Sequence, residues 1–200
     1  DRLEARALET LWKNLPSYEL YDTLPVIDVS GSMTMGYGRT GDFTPMHAAV
    51  GLGLYAAEHL KGEFKDSFIT FHSDPSFIEF SEKETFEDRI RKTLYAPWGG
   101  STDLEKVFRI ILKRAIVGSV PQEEMPKRIL IISDMEFNQC THYGETIYEN
   151  AQKLFKQAGY QLPQVIFWNV DSKTEQYPIT EKDNALLLSG FSPVILKFLY

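Results

Sequence analysis

Asp28, Ser30 and Ser32 fall at i, i+2 and i+4 where the apolar run Leu24-Pro25-Val26-Ile27 gives out, with Gly31 between the two serines. In an extended segment alternate side chains point the same way, so three oxygen donors can converge as the backbone begins to turn. Gly31 permits the turn and a close backbone approach. Hard oxygen ligands gathered at one point suit a hard divalent cation such as Mg2+. The same residue types also make ordinary polar turns, so the pentad becomes a site only if matching ligands arrive from elsewhere.

Two segments offer them. Trp98-Gly99-Gly100-Ser101-Thr102-Asp103 is a tight glycine turn running into a helix, and Ser133-Asp134 closes the apolar run 128–132. Thr102 and Asp134 are thus oxygen donors at the ends of separate elements. Asp103 reads as a first-turn acid at a helix N-terminus or, alternatively, as an outer-shell residue of the metal cluster. His72, Ser73 and Asp74 follow a strand end and are candidate rim residues. Glu136 reads as rim or solvated acid, and Tyr37 as a partner anchor or as packing for its own loop. Other motifs carry less chemistry. The glycine loop with Gly36, Gly38 and Gly41 lacks the Lys-Ser/Thr ending of a phosphate-binding loop. Cys140 and His142 have no second pair of zinc ligands. His47 and His59 read as ordinary helix residues.

The elements that must hold these residues alternate. An amphipathic helix over 1–14 sets Leu3, Ala7 and Leu11 on one face. The strand carrying Asp28 follows. A helix from Pro45 to about 60, capped by Thr44, tolerates Gly51 and Gly53, which suggests close packing on a sheet. Strands over 67–71 and 76–80 form a hairpin across Ser73-Asp74-Pro75. Ser81 and Glu84 offer a capping box for a helix with Phe86, Ile90 and Leu94 inward. Leu104, Val107, Phe108, Ile111, Leu112 and Ala115 make a buried helical stripe. The run 127–133 is a central strand covered on both faces. Then come a helix with Ile147, Ala151, Leu154, Phe155 and Ala158 inward, a strand over 164–170, a charged loop over 171–184, a strand over 185–191, and a terminal helix from Ser192-Pro193. This alternation predicts an α/β fold, a Rossmann-like doubly wound and mostly parallel central sheet of about six strands with helices on both faces. The helix within 1–20 leads in from an upstream region, and 21–200 is the domain. In such sheets ligands bind beyond the carboxyl ends of the strands, where Asp28 and Asp134 both sit.

The net charge of −7 over 200 residues argues against a surface built on nucleic-acid phosphates. The single cysteine excludes an internal disulfide and favours a reducing compartment. With neither a signal peptide nor a spanning apolar run visible, the expectation is an intracellular, cytoplasmic protein with no membrane partner.

The ordered set Asp28-x-Ser30-Gly31-Ser32, Thr102 and Ser133-Asp134 resembles the metal-ion-dependent adhesion site of von Willebrand factor A domains, over about 23–191. More narrowly, the segments 24–33, 98–103, 131–137 and 189–193 look like the C-terminal domain of an intracellular family related in architecture to the Ro autoantigen (TROVE) proteins. The resemblance implies that Ser30, Ser32 and Thr102 touch Mg2+ directly, with Mn2+ or Ca2+ as alternatives. It implies that Asp28 and Asp134 act through water, and that an exposed Asp or Glu of a protein partner completes the coordination. In Ro proteins the A domain follows a helical-repeat RNA-binding region, so any RNA contact belongs to regions outside these residues. The expectation is therefore a metal-dependent binding module and not an enzyme. A Mg2+-dependent hydrolase or phosphotransferase, with His72 as the one candidate base, is the first alternative. The second is a non-catalytic domain of an RNA-binding ribonucleoprotein.

Overall fold

A computed structural model of the chain describes residues 2–15, 20–34, 44–97, 103–134, 144–170, 179–182 and 185–189. Its elements are α1 (Arg2–Lys13), β1 (Thr23–Ile27), α2 (Pro45–Glu58), β2 (Ser67–Thr70), β3 (Phe77–Glu79), α3 (Phe86–Leu94), α4 (Leu104–Val117), β4 (Arg128–Ser133), α5 (Gly144–Gln157), β5 (Gln164–Asn169), β6 (Ile179–Lys182) and β7 (Ala185–Ser189). The strands form one seven-stranded sheet in the order β3-β2-β1-β4-β5-β7-β6. The five inner strands run parallel, and β3 and β6 are antiparallel at the two edges.

Alternation along the inner strands buries both faces. Ile27, Leu130, Ile132, Ile166 and Trp168 pack on one side with Leu54 and Ala57 of α2. Leu24, Val26, Ile129, Ile131, Val165 and Phe167 pack on the other with Phe108 and Ile111 of α4 and Phe155 of α5. The doubly wound α/β architecture is as the sequence predicts. The strand beyond the expected six is β6, inside the stretch read as a charged loop. Its charges, Glu181 and Lys182, belong to a short edge strand, where charge discourages pairing with other chains.

Gly53 shows how closely α2 rides on the sheet: a Cβ there would collide with the Ile27 side chain. Gly51 has nothing within 4 Å of the same position, so it is not needed for contact. Thr44 caps α2 as expected, but His47 is more than a plain helix residue. Its N–H donates to Thr44 Oγ1 at 3.4 Å, and its Nδ1 accepts from the Thr44 N–H at 3.0 Å.

Two local readings change. The cap of α3 is Thr85 with Asp88, one turn beyond Ser81 and Glu84. Its buried residues include Arg89 and Thr93, while Leu94 is exposed. The reason is an ion-pair cluster: Arg89 Nη1 lies 3.0 Å from both Glu58 Oε1 and Asp66 Oδ1. The face of α1 that carries Leu3, Ala7 and Leu11 lies in solvent, with Leu3 and Leu11 exposed. What docks is Trp12, stacked on Phe86 and donating its indole N–H to Glu58 Oε2 at 2.9 Å. Glu9 adds an acceptor for the Phe86 N–H. Among the described residues, no helix is long and apolar enough to cross a membrane. The glycine loop with Tyr37, the turn with Thr102, the segment with Glu136, Cys140 and His142, and the terminal helix at Ser192-Pro193 lie outside the described residues.

Candidate metal centre

The strand order reverses beside β1. From β1 the chain crosses to β2 on one side, and β4, β5 and β7 then build outward on the other. That is a topological switch point, and the crevice beyond its carboxyl ends is where open α/β sheets hold ligands. Ile27 pairs with Ile132, and the Asp28 N–H continues the ladder by donating to the Ile132 carbonyl at 2.9 Å. Asp28 therefore leaves the sheet beside Ser133 and Asp134. Ser133 is in register with Asn169, and Asn169 with Ser189. A row of polar residues thus crosses four adjacent strands at the edge where the apolar runs end.

Asp28 is 1% exposed and both its carboxylate oxygens are engaged. Oδ1 accepts from the Ser30 N–H at 2.9 Å, and Oδ2 from the Ser133 hydroxyl at 2.6 Å. The first bond bends the chain out of β1, and the second ties that bend to β4. The chain then enters a 3-10 turn, Gly31–Thr34, anchored by Met33, which is fully buried. Ser30, just before this turn, and Ser32, within it, have their hydroxyls hydrogen-bonded to each other at 2.9 Å. Octahedral Mg2+ with oxygens at about 2.1 Å sets neighbouring ligands roughly 2.9–3.0 Å from each other. The serine pair and the oxygen-only donor set fit such an ion, and Asp28 is disposed to orient them.

Of the five expected ligands, Asp28, Ser30, Ser32 and Asp134 stand on one edge of the sheet, with Asp134 half-buried at the exit of β4. Thr102 lies outside the described residues. Asp103, next to it, is the N-cap of α4, its carboxylate accepting from the Lys106 N–H at 3.0 Å. Lys106 Nζ in turn donates to the Ser73 carbonyl at 2.6 Å. That bond draws the start of α4 to the loop after β2, beside Asp28. His72, in that loop, has its Nδ1 accepting from the Asp74 N–H at 3.3 Å. Its Nε2 is buried and, among the described residues, has no hydrogen-bond partner.

Ser133 and Asn169 carry roles in the edge that residue spacing alone did not disclose. Ser133 was legible only as the neighbour of Asp134. Its hydroxyl finds Asp28 because of the β1–β4 register, which no local pattern encodes.

The sheet order and switch-point edge define a doubly wound, mostly parallel α/β domain, a fold consistent with the von Willebrand A and Rossmann-like architectures. The profile of the family described as "Domain of unknown function (DUF7788)" matches residues 22–200, and the chain belongs to that family. The fold is similar to the crystal structure of the Deinococcus radiodurans Ro (RSR) protein, with a TM-score of 0.59 and 19% identity, covering 96% of this chain and 36% of that one. The chain is also 38% identical over 175 residues to uncharacterized protein L728 of Acanthamoeba polyphaga mimivirus, covering 86% of this chain and 29% of that protein. It thus spans less than a third of that relative's length.

Proposed function

We propose that the domain is a divalent-metal-dependent binding module that holds Mg2+ between Ser30, Ser32 and Thr102 and recognises a protein partner through an exposed Asp or Glu. The observation that carries this reading is the serine pair, hydroxyls 2.9 Å apart, beside a buried carboxylate that holds the Ser30 N–H and bonds across to β4. Neutral hydroxyls leave the ion's charge largely uncompensated, so an outside carboxylate is the natural completing ligand. Asp28 and Asp134 orient the shell, as carboxylates behind metal ligands commonly do. The ion's role is to polarise and bind that carboxylate, while the chain's residues set its position at the switch-point crevice.

The fold likeness to the Ro protein supports an A-type domain within a larger architecture and leaves partners to be found by experiment. The test is a biosensor surface carrying poly-glutamate. At a net charge of −7 the protein is repelled by that surface, so capture needs the metal. The expected result is capture in Mg2+, release by EDTA, and no capture of the Ser30→Ala/Ser32→Ala variant. Capture that is indifferent to EDTA and to the two substitutions would overturn the reading.

A further inference from the structure

β3 is an edge strand, and its ladder leaves one side open. The Thr70 N–H donates to the Ser76 carbonyl and the Phe80 N–H to the Asp66 carbonyl, with Ile78 opposite Phe68 between them. The bonds to β2 therefore fall on Ser76, Ile78 and Phe80. In an antiparallel pair the intervening residues turn their N–H and C=O the other way, so Phe77 and Glu79 face outward. Lys92 Nζ occupies the Glu79 carbonyl at 2.6 Å. Among the described residues, nothing bonds the Phe77 N–H, the Phe77 C=O or the Glu79 N–H.

Beside this open edge runs a groove of about 410 Å3 between β3 and α4. Phe77 and Ile110 are half-buried in its wall, and Val117 is 77% exposed at its end. Arg114 is already committed: its guanidinium lies 4.5 Å from the Phe77 ring centroid and 2.7 Å from Glu79 Oε1. Lys113 differs. It is exposed on the groove and, among the described residues, makes no ion pair or hydrogen bond.

We propose that this groove binds an extended peptide segment that adds to β3 as an eighth strand, with an apolar side chain against Phe77 and Ile110 and an acidic one toward Lys113. A strand partner is what the three outward backbone groups favour, because another backbone in register replaces water at all three together at that spacing. The apolar wall and the free cation select the side chains that alternate on the groove side. None of the groove residues is a proposed metal ligand, so the site stands or falls independently of the metal reading.

The experiment selects binders from a random-peptide phage library on the immobilised 200-residue chain in EDTA, which removes metal-dependent capture. Selected sequences are then synthesised and followed by amide hydrogen exchange. The expected binders alternate apolar with acidic residues and slow exchange at Phe77 and Glu79 about tenfold at ten times their Kd. Lys113→Glu, an exposed change that leaves the fold intact by circular dichroism, loses those peptides and selects basic ones. The proposal is overturned if no peptide is enriched, if enrichment ignores Lys113→Glu, if protection falls elsewhere, or if the same amides are protected by raised protein concentration alone, which would make the edge a self-pairing surface.

Discussion

The chemistry of the edge rests on one buried carboxylate with two tasks. Asp28 folds the Ser30 backbone over itself and joins β1 to β4 through the Ser133 hydroxyl. Ser133→Ala removes the donor to Oδ2 and leaves a buried carboxylate oxygen short of a partner, at a cost of about 2 kcal/mol. Loosening a group that orients the ligands weakens metal affinity by roughly 10–100-fold. Chemical denaturation and a Mg2+ titration of the same variant check the two numbers. A loss of stability with no change in affinity would show that Asp28 braces the fold and nothing more. The acidic residue and the serines are legible in the sequence because they form a contiguous pattern. Ser133 as their brace is not, because its partner lies 105 residues away and is chosen by strand register.

At the scale of elements, strong periodicity was readable, as was the β3 hairpin at one edge, while the other edge strand, β6, was not. The stripes of α4 and α5 and the continuous apolar run of β4 bury as their patterns require. β6 escaped because an edge strand tolerates charged residues that a buried strand does not, so its sequence reads as a polar loop. On α1 the leucines share one face, yet an aromatic stack and two charge-assisted hydrogen bonds set the docking. The α2 glycines separate cleanly in the same way. Gly53→Ala drives a methyl into Ile27 and destabilises the domain by about 1–3 kcal/mol. Gly51→Ala meets nothing and is neutral or stabilising by up to about 1 kcal/mol. Thermal melts of the two variants measure the contrast, and equal effects would refute the close α2–sheet contact at Gly53.

Across the whole molecule, α1 is joined to the domain by a junction that titrates. The Phe86 N–H, with Lys13 beside it, holds the Glu9 carboxyl below its ordinary value of 4.5. A carboxylate whose folded pKa is depressed contributes stability above the unfolded value and loses it as pH falls through the folded one. Docking of α1 is therefore complete above about pH 4.5 and weakens below it. The Trp12 indole N–H resonance reports this, and Glu9→Gln removes that part of the pH dependence. The fold itself was legible as an alternation of strands and helices. The order of the strands, and with it the switch point beside β1, emerges only when the sheet assembles.

The central claim is that the oxygens at that switch point hold a divalent cation. The direct test is a Mg2+ titration of the 200-residue chain followed by amide NMR. Millimolar Mg2+ is predicted to shift Ser30, Ser32 and Ser133 in a saturable manner, and these shifts vanish in a folded Ser30→Ala/Ser32→Ala variant. Spectra unchanged by Mg2+, or equal shifts in that variant, would contradict it.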